Sequence, residues 1–343
     1  ETEADAFPIE TYLNYFYAFI ESDELGRAAD LAADYTPEAV HKADYLLAMA
    51  DLELARRQYQ AAKEVLKGIA IPEKDKALSP EESTHHLSRW GYYYRFARLE
   101  QYLGDIESAR HYAVEAWKTD QISALSYLLI LELTLQAADF TSFDNLYKLH
   151  SERRLSLGQA ATVQNLAAIR NFVQTWQFMP SAPIENVKFT EDSTSPLEKI
   201  SLMFAEIWQS LRCAIHYWQL KDWSAANASF KEAIDPVPLN PIANLILMNY
   251  LSYKLVEARN RQKLHVRKHL PESYTTSASD EAEINRQLAY AGKYLPGEVI
   301  SPVLRLSQAV IQGKWQRGAS LLGLVNTPAQ AAIALSLTDD PQI

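Results

Sequence analysis

Glycine and cysteine are both scarce in this chain. It has 10 glycines among 343 residues, whereas average usage of about 7% would give about 24. Because turns, bulges and hairpins are where proteins use glycine, the shortage excludes a β-rich or loop-rich fold. The single cysteine, Cys213, excludes an internal disulfide framework and any multi-cysteine zinc or iron–sulfur site.

Positive charge and long hydrophobic runs are also lacking. The chain has 33 Lys and Arg against 43 Asp and Glu, a formal net charge of -10, which opposes binding to nucleic acid or anionic lipid. The most apolar stretch, 126–135, contains Glu132, and no run reaches the ~18 to 20 apolar residues of a membrane span. We therefore expect a soluble chain without direct membrane insertion. Because it opens at Glu1, we expect that an N-terminal segment was removed, with a cytoplasmic or an extracytoplasmic location both open.

What the chain does contain is helical periodicity. Hydrophobic residues make up 48% of the chain and charged residues 22%, a balance sufficient for a large core. Apolar residues recur at spacings of three and four, without strict alternation, so the sequence predicts an all-α fold. Thr36-Pro37, Ser79-Pro80 and Ser195-Pro196 each place a hydroxyl cap before a proline and predict helix starts.

Six segments share one turn pattern: a small or polar pair, a large apolar residue, and usually a small residue three positions later. The large residues are Leu25, Tyr59, Ile106, Phe140, Trp223 and Trp315. Two of the intervals are 34 residues, and the others, of 47, 83 and 92 residues, exceed one or two such periods. Three polar stretches at 71–89, 179–195 and 270–280 account for the excess. A repeated structural unit is therefore predicted.

This 34-residue helix–turn–helix unit resembles the tetratricopeptide repeat, with the best match at 211–241. Small side chains let its two antiparallel helices approach closely. They are Ala50, Ala97 and Ala214 on first helices and Ala28, Ala62, Ala109 and Ala226 on second helices. The chain departs from the family pattern at Glu53, Glu100 and Thr134, where large apolar residues are usual, and at Phe16, Leu131 and Phe143, where small ones are usual.

The resemblance implies a right-handed superhelix of antiparallel helix pairs, an α-solenoid of about six to eight pairs with a break near 178–196. We expect an N-terminal array at 1–177, with four recognisable repeats and a long helix at 158–176. A linker follows at 178–196. The C-terminal array at 197–343 would contain a degenerate pair and a capping helix.

Catalytic and cofactor motifs are not evident. The segment 313–320 has the glycine spacing of a phosphate-binding loop, but Ala319 stands where the lysine belongs, and a repeat turn explains the same residues. His265 and His269 lie four apart without a third ligand nearby, and Cys213 falls at a packing position. We expect no catalytic residue, metal or cofactor. An enzyme on a helical-repeat toroid is a third alternative, and it would need titratable groups converging on one pocket.

The resemblance also implies a concave binding groove lined by first-helix residues next to the packing positions. These residues are Tyr17, Asp51, Tyr94, Arg95, Arg98, Tyr102, Trp208 and Arg212. Tyr, Trp and Arg concentrate binding energy in protein interfaces, so we predict that this groove binds a protein or peptide. Leu13 and Tyr17 replace the Lys and Asn with which the carboxylate-clamp subgroup grips chaperone C-termini, so that partner is not predicted.

A basic cluster near the end of a long helix is a second candidate site. It consists of Arg259, Arg261, Lys263, Arg267 and Lys268. Cations at a helix C-terminus are favoured for structural reasons alone; the alternative is a patch for an acidic peptide, a phosphate group or a membrane surface.

We therefore predict a non-catalytic scaffold or adaptor. The alternative function is a sensory or regulatory domain of a larger membrane-anchored or DNA-binding protein. The sequence leaves the partner's identity and the oligomeric state open.

Overall fold

The computed structural model describes residues 8–71, 88–175, 178, 196–247, 249–250 and 253. Within these ranges the regular structure is helical and there is no strand, so the all-α prediction is confirmed. The predicted turn at Trp315, the glycine-containing segment 313–320, the basic cluster at 259–268 and most of the linker lie outside the described residues.

We number the described helices in chain order. They are α1 (Ile9–Glu21), α2 (Leu25–Asp34), α3 (Lys42–Ala55), α4 (Tyr59–Lys67), α5 (Arg89–Leu103), α6 (Ile106–Thr119), α7 (Ala124–Gln136), α8 (Phe140–Tyr147), α9 (Leu157–Thr175), α10 (Pro196–Gln219) and α11 (Trp223–Ile234). Short 3-10 helices occupy Ala39–His41 and His150–Glu152, and residues 241–247 are again helical.

The predicted shared turn is present at five positions with one backbone geometry. Two residues before each large apolar residue, the chain adopts a left-handed conformation: φ is 61° at Asp23, 61° at Arg57, 79° at Gly104, 55° at Ala138 and 60° at Lys221. The following N–H donates to the carbonyl five residues earlier, as in Glu24 to Phe19 at 2.8 Å and Asp222 to Tyr217 at 3.0 Å. This bond satisfies a carbonyl that the end of the first helix leaves without a helical partner.

Three of the five turns also cap the second helix with an aspartate. The carboxylates of Asp105, Asp139 and Asp222 accept the backbone N–H three residues later, at 3.0–3.1 Å. Such a cap stabilises a helix by about 1 kcal/mol. Glu24 and Gln58 occupy the same position without a side-chain cap bond.

The small packing positions are buried as expected. Ala28, Ala62, Ala109 and Ala226 on second helices, and Ala50, Ala97 and Ala214 on first helices, all have 0% exposure. The pair of α7 and α8 instead buries the large side chains of Leu131 and Phe143 at these positions.

Two predicted helix boundaries have different outcomes. Pro196 is the first residue of α10, as the Ser-Pro pattern predicts. Thr36 is not a helix cap, because residues 35–38 are not helical and α3 begins only at Lys42. Tyr35, which ends α2, has an extended backbone, and its ring stacks on Tyr12 with the centroids 4.1 Å apart. The long helix predicted at 158–176 is observed as α9.

The chain forms two compact units. Unit 1 contains the described residues of Glu1–Leu135, Asp139–Ala168 and Pro183–Gln209. Its core includes a cluster around Tyr12, Phe16 and Ala48 and another around Leu47, Leu66 and Phe96.

Unit 2 contains the described residues of Gln136–Ala138, Ile169–Ala182 and Ser210–Ile343. Its core is rich in aromatic side chains. Trp218 lies 5.7 Å from Phe172 and 5.6 Å from Tyr250, measured between ring centroids, and Phe230 lies 4.8 Å from Tyr250.

Candidate functional site

The candidate site is built on one face of the first helices of unit 1. Residues spaced by four lie on the same side of a helix. We call the positions that lie four, eight and twelve residues before the large apolar residue of each turn the first-helix face. Its members are Leu13, Tyr17 and Glu21 on α1, Leu47, Asp51 and Ala55 on α3, Tyr94, Arg98 and Tyr102 on α5, and Leu128 and Glu132 on α7.

A buried network joins α1, α3 and α5 through Tyr17 and Asp51 of this face and the neighbouring Arg95. Arg95 donates from Nε to Asp51 Oδ1 and from Nη2 to Oδ2, both at 2.6 Å, and the Tyr17 hydroxyl donates to Asp51 Oδ2 at 2.9 Å. Both charged side chains are at most 1% exposed. Burial, followed by the Asp51 charge, raises the pKa of Tyr17 well above its ordinary value, so this hydroxyl stays a donor at neutral pH.

A second buried network joins α5 to α7. Arg98 Nη1 lies 2.5 Å from Glu132 Oε2 and 2.9 Å from the Gln101 side-chain oxygen, while Arg98 Nε donates to the Tyr94 hydroxyl at 3.1 Å. Both charged side chains are fully buried. Arg98 Nη2 and Glu132 Oε1 have no hydrogen-bond partner within the described part of the chain.

The N-terminal half of α10 lies against the same face. The Tyr102 hydroxyl donates to Met203 Sδ at 3.1 Å, and the Tyr102 ring centroid is 5.2 Å from that of Phe204. The guanidinium of Arg98 lies over the Phe204 ring, 4.5 Å from its centroid. Arg98 and Tyr102 are therefore covered by the N-terminal half of α10, which belongs to the same unit.

α10 also contacts the end of α1. Lys199 Nζ donates to the backbone carbonyl of Glu21, the last residue of α1. A cation is favoured here because the last carbonyls of a helix carry partial negative charge.

A cavity of about 550 Å³ remains beside α10 in unit 1. Its walls are the ends of α1 and α3, the start of α4, and one side of α10. Tyr59 and Tyr102 form one wall, with stacked rings 4.1 Å apart. Aliphatic lining residues include Ile20, Leu54, Ile200 and Leu202.

The charges around this cavity are mixed. The lining acids are Glu21, Asp23, Asp51 and Glu206, and the lining bases are Arg57 and Lys199. Burial raises the pKa of Glu21, and the nearby Lys199 charge lowers it in part. No Ser, Cys or His is among the described lining residues, and the cavity offers apolar contact together with ion pairing.

Seven of the eight predicted binding residues lie inside the protein, with exposures between 0% and 6%: Tyr17, Asp51, Tyr94, Arg95, Arg98, Tyr102 and Trp208. We expected these side chains to line an open wall of the groove, but they are buried. Six of them bond to one another or contact α10, and Trp208 is buried as part of α10. The eighth, Arg212, is partly exposed and belongs to unit 2. Asp51 and Tyr102 reach the cavity.

Four further contributors to this site are missing from the prediction. Glu132 follows Arg98 by 34 residues, so the repeat period alone could have identified it. Lys199, Met203 and Phe204 carry no such signal, because the N-terminal half of α10 precedes the segment 211–241 that matches the repeat.

Other candidate chemistry finds no geometry in the described residues. No group of three or more His, Cys, Asp or Glu side chains there could bind a metal ion. Cys213 is partly buried, and burial raises the pKa of its thiol. None of the described helices combines the length and apolar character that crossing a membrane requires.

Comparison of the chain with known proteins gave no match to a family model, to a curated protein or to a solved structure.

Proposed function

We propose that this protein is a non-catalytic scaffold or adaptor of the tetratricopeptide type, which binds a helical segment of a partner protein on the first-helix face of unit 1. One observation carries the proposal. The face already binds a helix, since Tyr102 and Arg98 contact Met203 and Phe204 of α10. A surface that binds one amphipathic helix has the shape and chemistry to bind another.

The repeated turn supports the repeat architecture within this proposal. Five turns share a left-handed residue at one position, and four of them are followed by a buried alanine at the predicted small position. We extend this unit to a right-handed superhelix of about six to eight helix pairs, with the remaining pairs supplied by residues beyond α11.

The cavity supplies the accessible part of the proposed site. Ala55 and Arg57 line it and are exposed, so a partner can reach it without unfolding the chain. Its stacked tyrosines offer rigid aromatic surface, a side-chain type enriched at the centres of protein interfaces, and its acids and bases offer ion pairs at the rim.

A peptide selection tests this function. We would select binders from a library of 16-residue peptides on the full-length chain, then measure their affinities for the wild type and for Ala55→Trp. Because Ala55 is exposed and lines the cavity, a tryptophan there fills the site and leaves the core intact. We expect affinity to fall at least about tenfold, which corresponds to about 1.4 kcal/mol.

Ala61→Trp is the matched control. Ala61 is exposed on α4 and does not line the cavity, so selected peptides should bind this variant as they bind the wild type. Equal loss in both variants, or no loss in either, would place peptide binding elsewhere and refute the proposed site.

A further inference from the structure

We infer that the cavity of unit 1 binds a primary alkylammonium group, so that a lysine side chain anchors the partner helix there. The lysine anchor rests on the proposed function, whereas the ammonium site is a property of the cavity alone. The cavity already holds one ammonium group, since Lys199 lines it and donates from Nζ to the backbone carbonyl of Glu21. The repeat presents the same carbonyl a second time, at Ala55.

The two carbonyls occupy equivalent places in the helix–turn unit. Glu21 is the last residue of α1, and Ala55, 34 residues later, is the last residue of α3. In both turns the left-handed residue donates its N–H to the carbonyl three residues earlier, and the next N–H donates to the carbonyl five residues earlier. These two bonds pass over the carbonyl of the last helical residue, which is left available to another donor.

The second carbonyl is open. Lys199 bonds to the carbonyl of Glu21, whereas no hydrogen bond reaches the carbonyl of Ala55 from the described part of the chain. Ala55 is exposed and lines the cavity. Carbonyls at the end of a helix carry partial negative charge and attract cations, so the end of α3 offers an ammonium group the acceptor that Lys199 uses at the end of α1.

Apolar surface lies directly before each of the two carbonyls. Ile20 and Leu54, again 34 residues apart, each precede the last residue of their helix and line the cavity. Tyr59 and Tyr102 add the stacked aromatic wall. A lysine side chain packs its four-carbon stem along such surface while its ammonium group reaches a polar partner. The cavity thus matches both parts of this side chain.

The charges around the cavity favour a cation over an anion. Arg95 neutralises Asp51 through two hydrogen bonds of 2.6 Å. The other charged lining residues are three acids and two bases: Glu21, Asp23, Glu206, Arg57 and Lys199. The formal net charge of the whole chain, -10, adds to the attraction of a cationic group. An acidic side chain of a partner would meet the same excess of negative charge as repulsion.

Asp23 and Arg57 are equivalent turn residues of opposite charge, and both are exposed and line the cavity. Each has a left-handed backbone with a φ of 61°. Lys221 occupies the same turn position with a φ of 60°, so this position accepts a basic or an acidic side chain. Asp23→Lys and Arg57→Asp should therefore fold as the wild type does and change the charge of the cavity in opposite directions.

Pentylammonium, which reproduces the lysine side chain and its Cα, is the direct probe. We would titrate it at low ionic strength into the full-length chain labelled with nitrogen-15, with pentanoate as the anionic control. We expect saturable shifts of the amides of 20–23 and 54–57 with pentylammonium only. Its dissociation constant should rise about threefold in Asp23→Lys and fall about threefold in Arg57→Asp. Glu64→Lys and Lys67→Asp, exposed and outside the cavity, should leave it unchanged.

Acetylated peptides from the selection described above extend the test to the partner. In a peptide that loses affinity for Ala55→Trp, replacing the anchoring lysine with norleucine keeps the four-carbon stem and should weaken binding at least about tenfold. If every lysine can be replaced without loss, or if pentylammonium gives no saturable shift or binds no better than pentanoate, the inference is overturned and the proposed function stands. If pentylammonium binds as expected but no peptide is sensitive to Ala55→Trp, the ammonium site stands and the proposed function fails.

Discussion

Arg98 and Glu132 occupy equivalent positions in consecutive helix pairs, 34 residues apart, and form a fully buried ion pair with a separation of 2.5 Å. Each lies eight residues before the apolar residue of its turn. The repeat therefore places opposite charges on adjacent first helices, and their pairing fixes α5 against α7.

Removing one member of this pair should be strongly destabilising. Arg98→Met leaves the Glu132 carboxylate buried without its counter-charge, and we expect the free energy of unfolding to fall by about 3–5 kcal/mol. The double variant Arg98→Met, Glu132→Met should be more stable than either single variant. Urea denaturation of all four proteins measures the coupling energy, and strictly additive losses would contradict a specific pair.

The network around Asp51 should lose different amounts of stability when its ion pair and its tyrosine hydrogen bond are removed separately. Asp51→Asn removes the carboxylate charge that accepts two bonds from the buried Arg95 guanidinium and should cost about 3–5 kcal/mol. Tyr17→Phe removes one hydrogen bond and should cost about 1 kcal/mol. Glu64→Gln, in an exposed pair with Lys67, is the control and should leave the urea midpoint unchanged. Equal effects of the two buried substitutions would contradict the geometry.

The sequence predicts the repeated turn because its geometry is local. The turn combines a left-handed residue, a helix cap and an alanine three positions after the large residue. All three features depend on neighbours within one helix pair. The partners of Asp51 differ in this respect, because Tyr17 precedes it by one 34-residue period, whereas Arg95 follows it by 44 residues and does not occupy the equivalent position of the next pair.

The contact of Tyr102 with Met203 spans 101 residues and has no periodic signal. Side-chain type predicted that tyrosine and arginine on this face make contacts. It could not show that the chain's own helix covers them, since the covering residues of α10 carry no sequence pattern that relates them to this face.

Close helix packing predicts intolerance to larger side chains at the small positions. Ala62 is fully buried, so Ala62→Leu should destabilise the protein by about 1–3 kcal/mol through overpacking. Ala61→Leu, one residue earlier and exposed, is the matched control and should change stability little. Thermal denaturation compares them, and similar melting temperatures would show that α4 does not pack closely on its neighbours.

The left-handed turn residues predict opposite effects of glycine at two alanines. Ala138 has a φ of 55°, so Ala138→Gly should raise the free energy of unfolding by about 0.5–1 kcal/mol by relieving a left-handed conformation. At Ala61, inside α4, the same substitution should lower it by about 0.8–1 kcal/mol. Urea denaturation measures both, and a stability loss at Ala138 would contradict the turn geometry.

Buried tyrosines predict loss of stability at alkaline pH. Burial is the main cause that raises the pKa of Tyr92 and of Tyr127 to about 12, above the ordinary value near 10. Above pH 10 the unfolded chain releases these protons while the folded chain retains them, so stability falls as pH rises from about 10 to 12. The part of the tyrosinate absorbance at 295 nm that appears above pH 10 should rise together with loss of helical circular dichroism. A rise complete near pH 10 without unfolding would contradict the burial.

Photo-crosslinking tests the proposed binding face most directly. A selected peptide carrying a photo-reactive phenylalanine is irradiated with the full-length chain, and the modified residues are mapped by mass spectrometry. We predict that adducts concentrate on the cavity residues of α1, α3 and α10, including Ala55 and Met203, and that Ala55→Trp abolishes them. Adducts on the outer surface of α4 around Ala61, unaffected by Ala55→Trp, would contradict binding at the first-helix face.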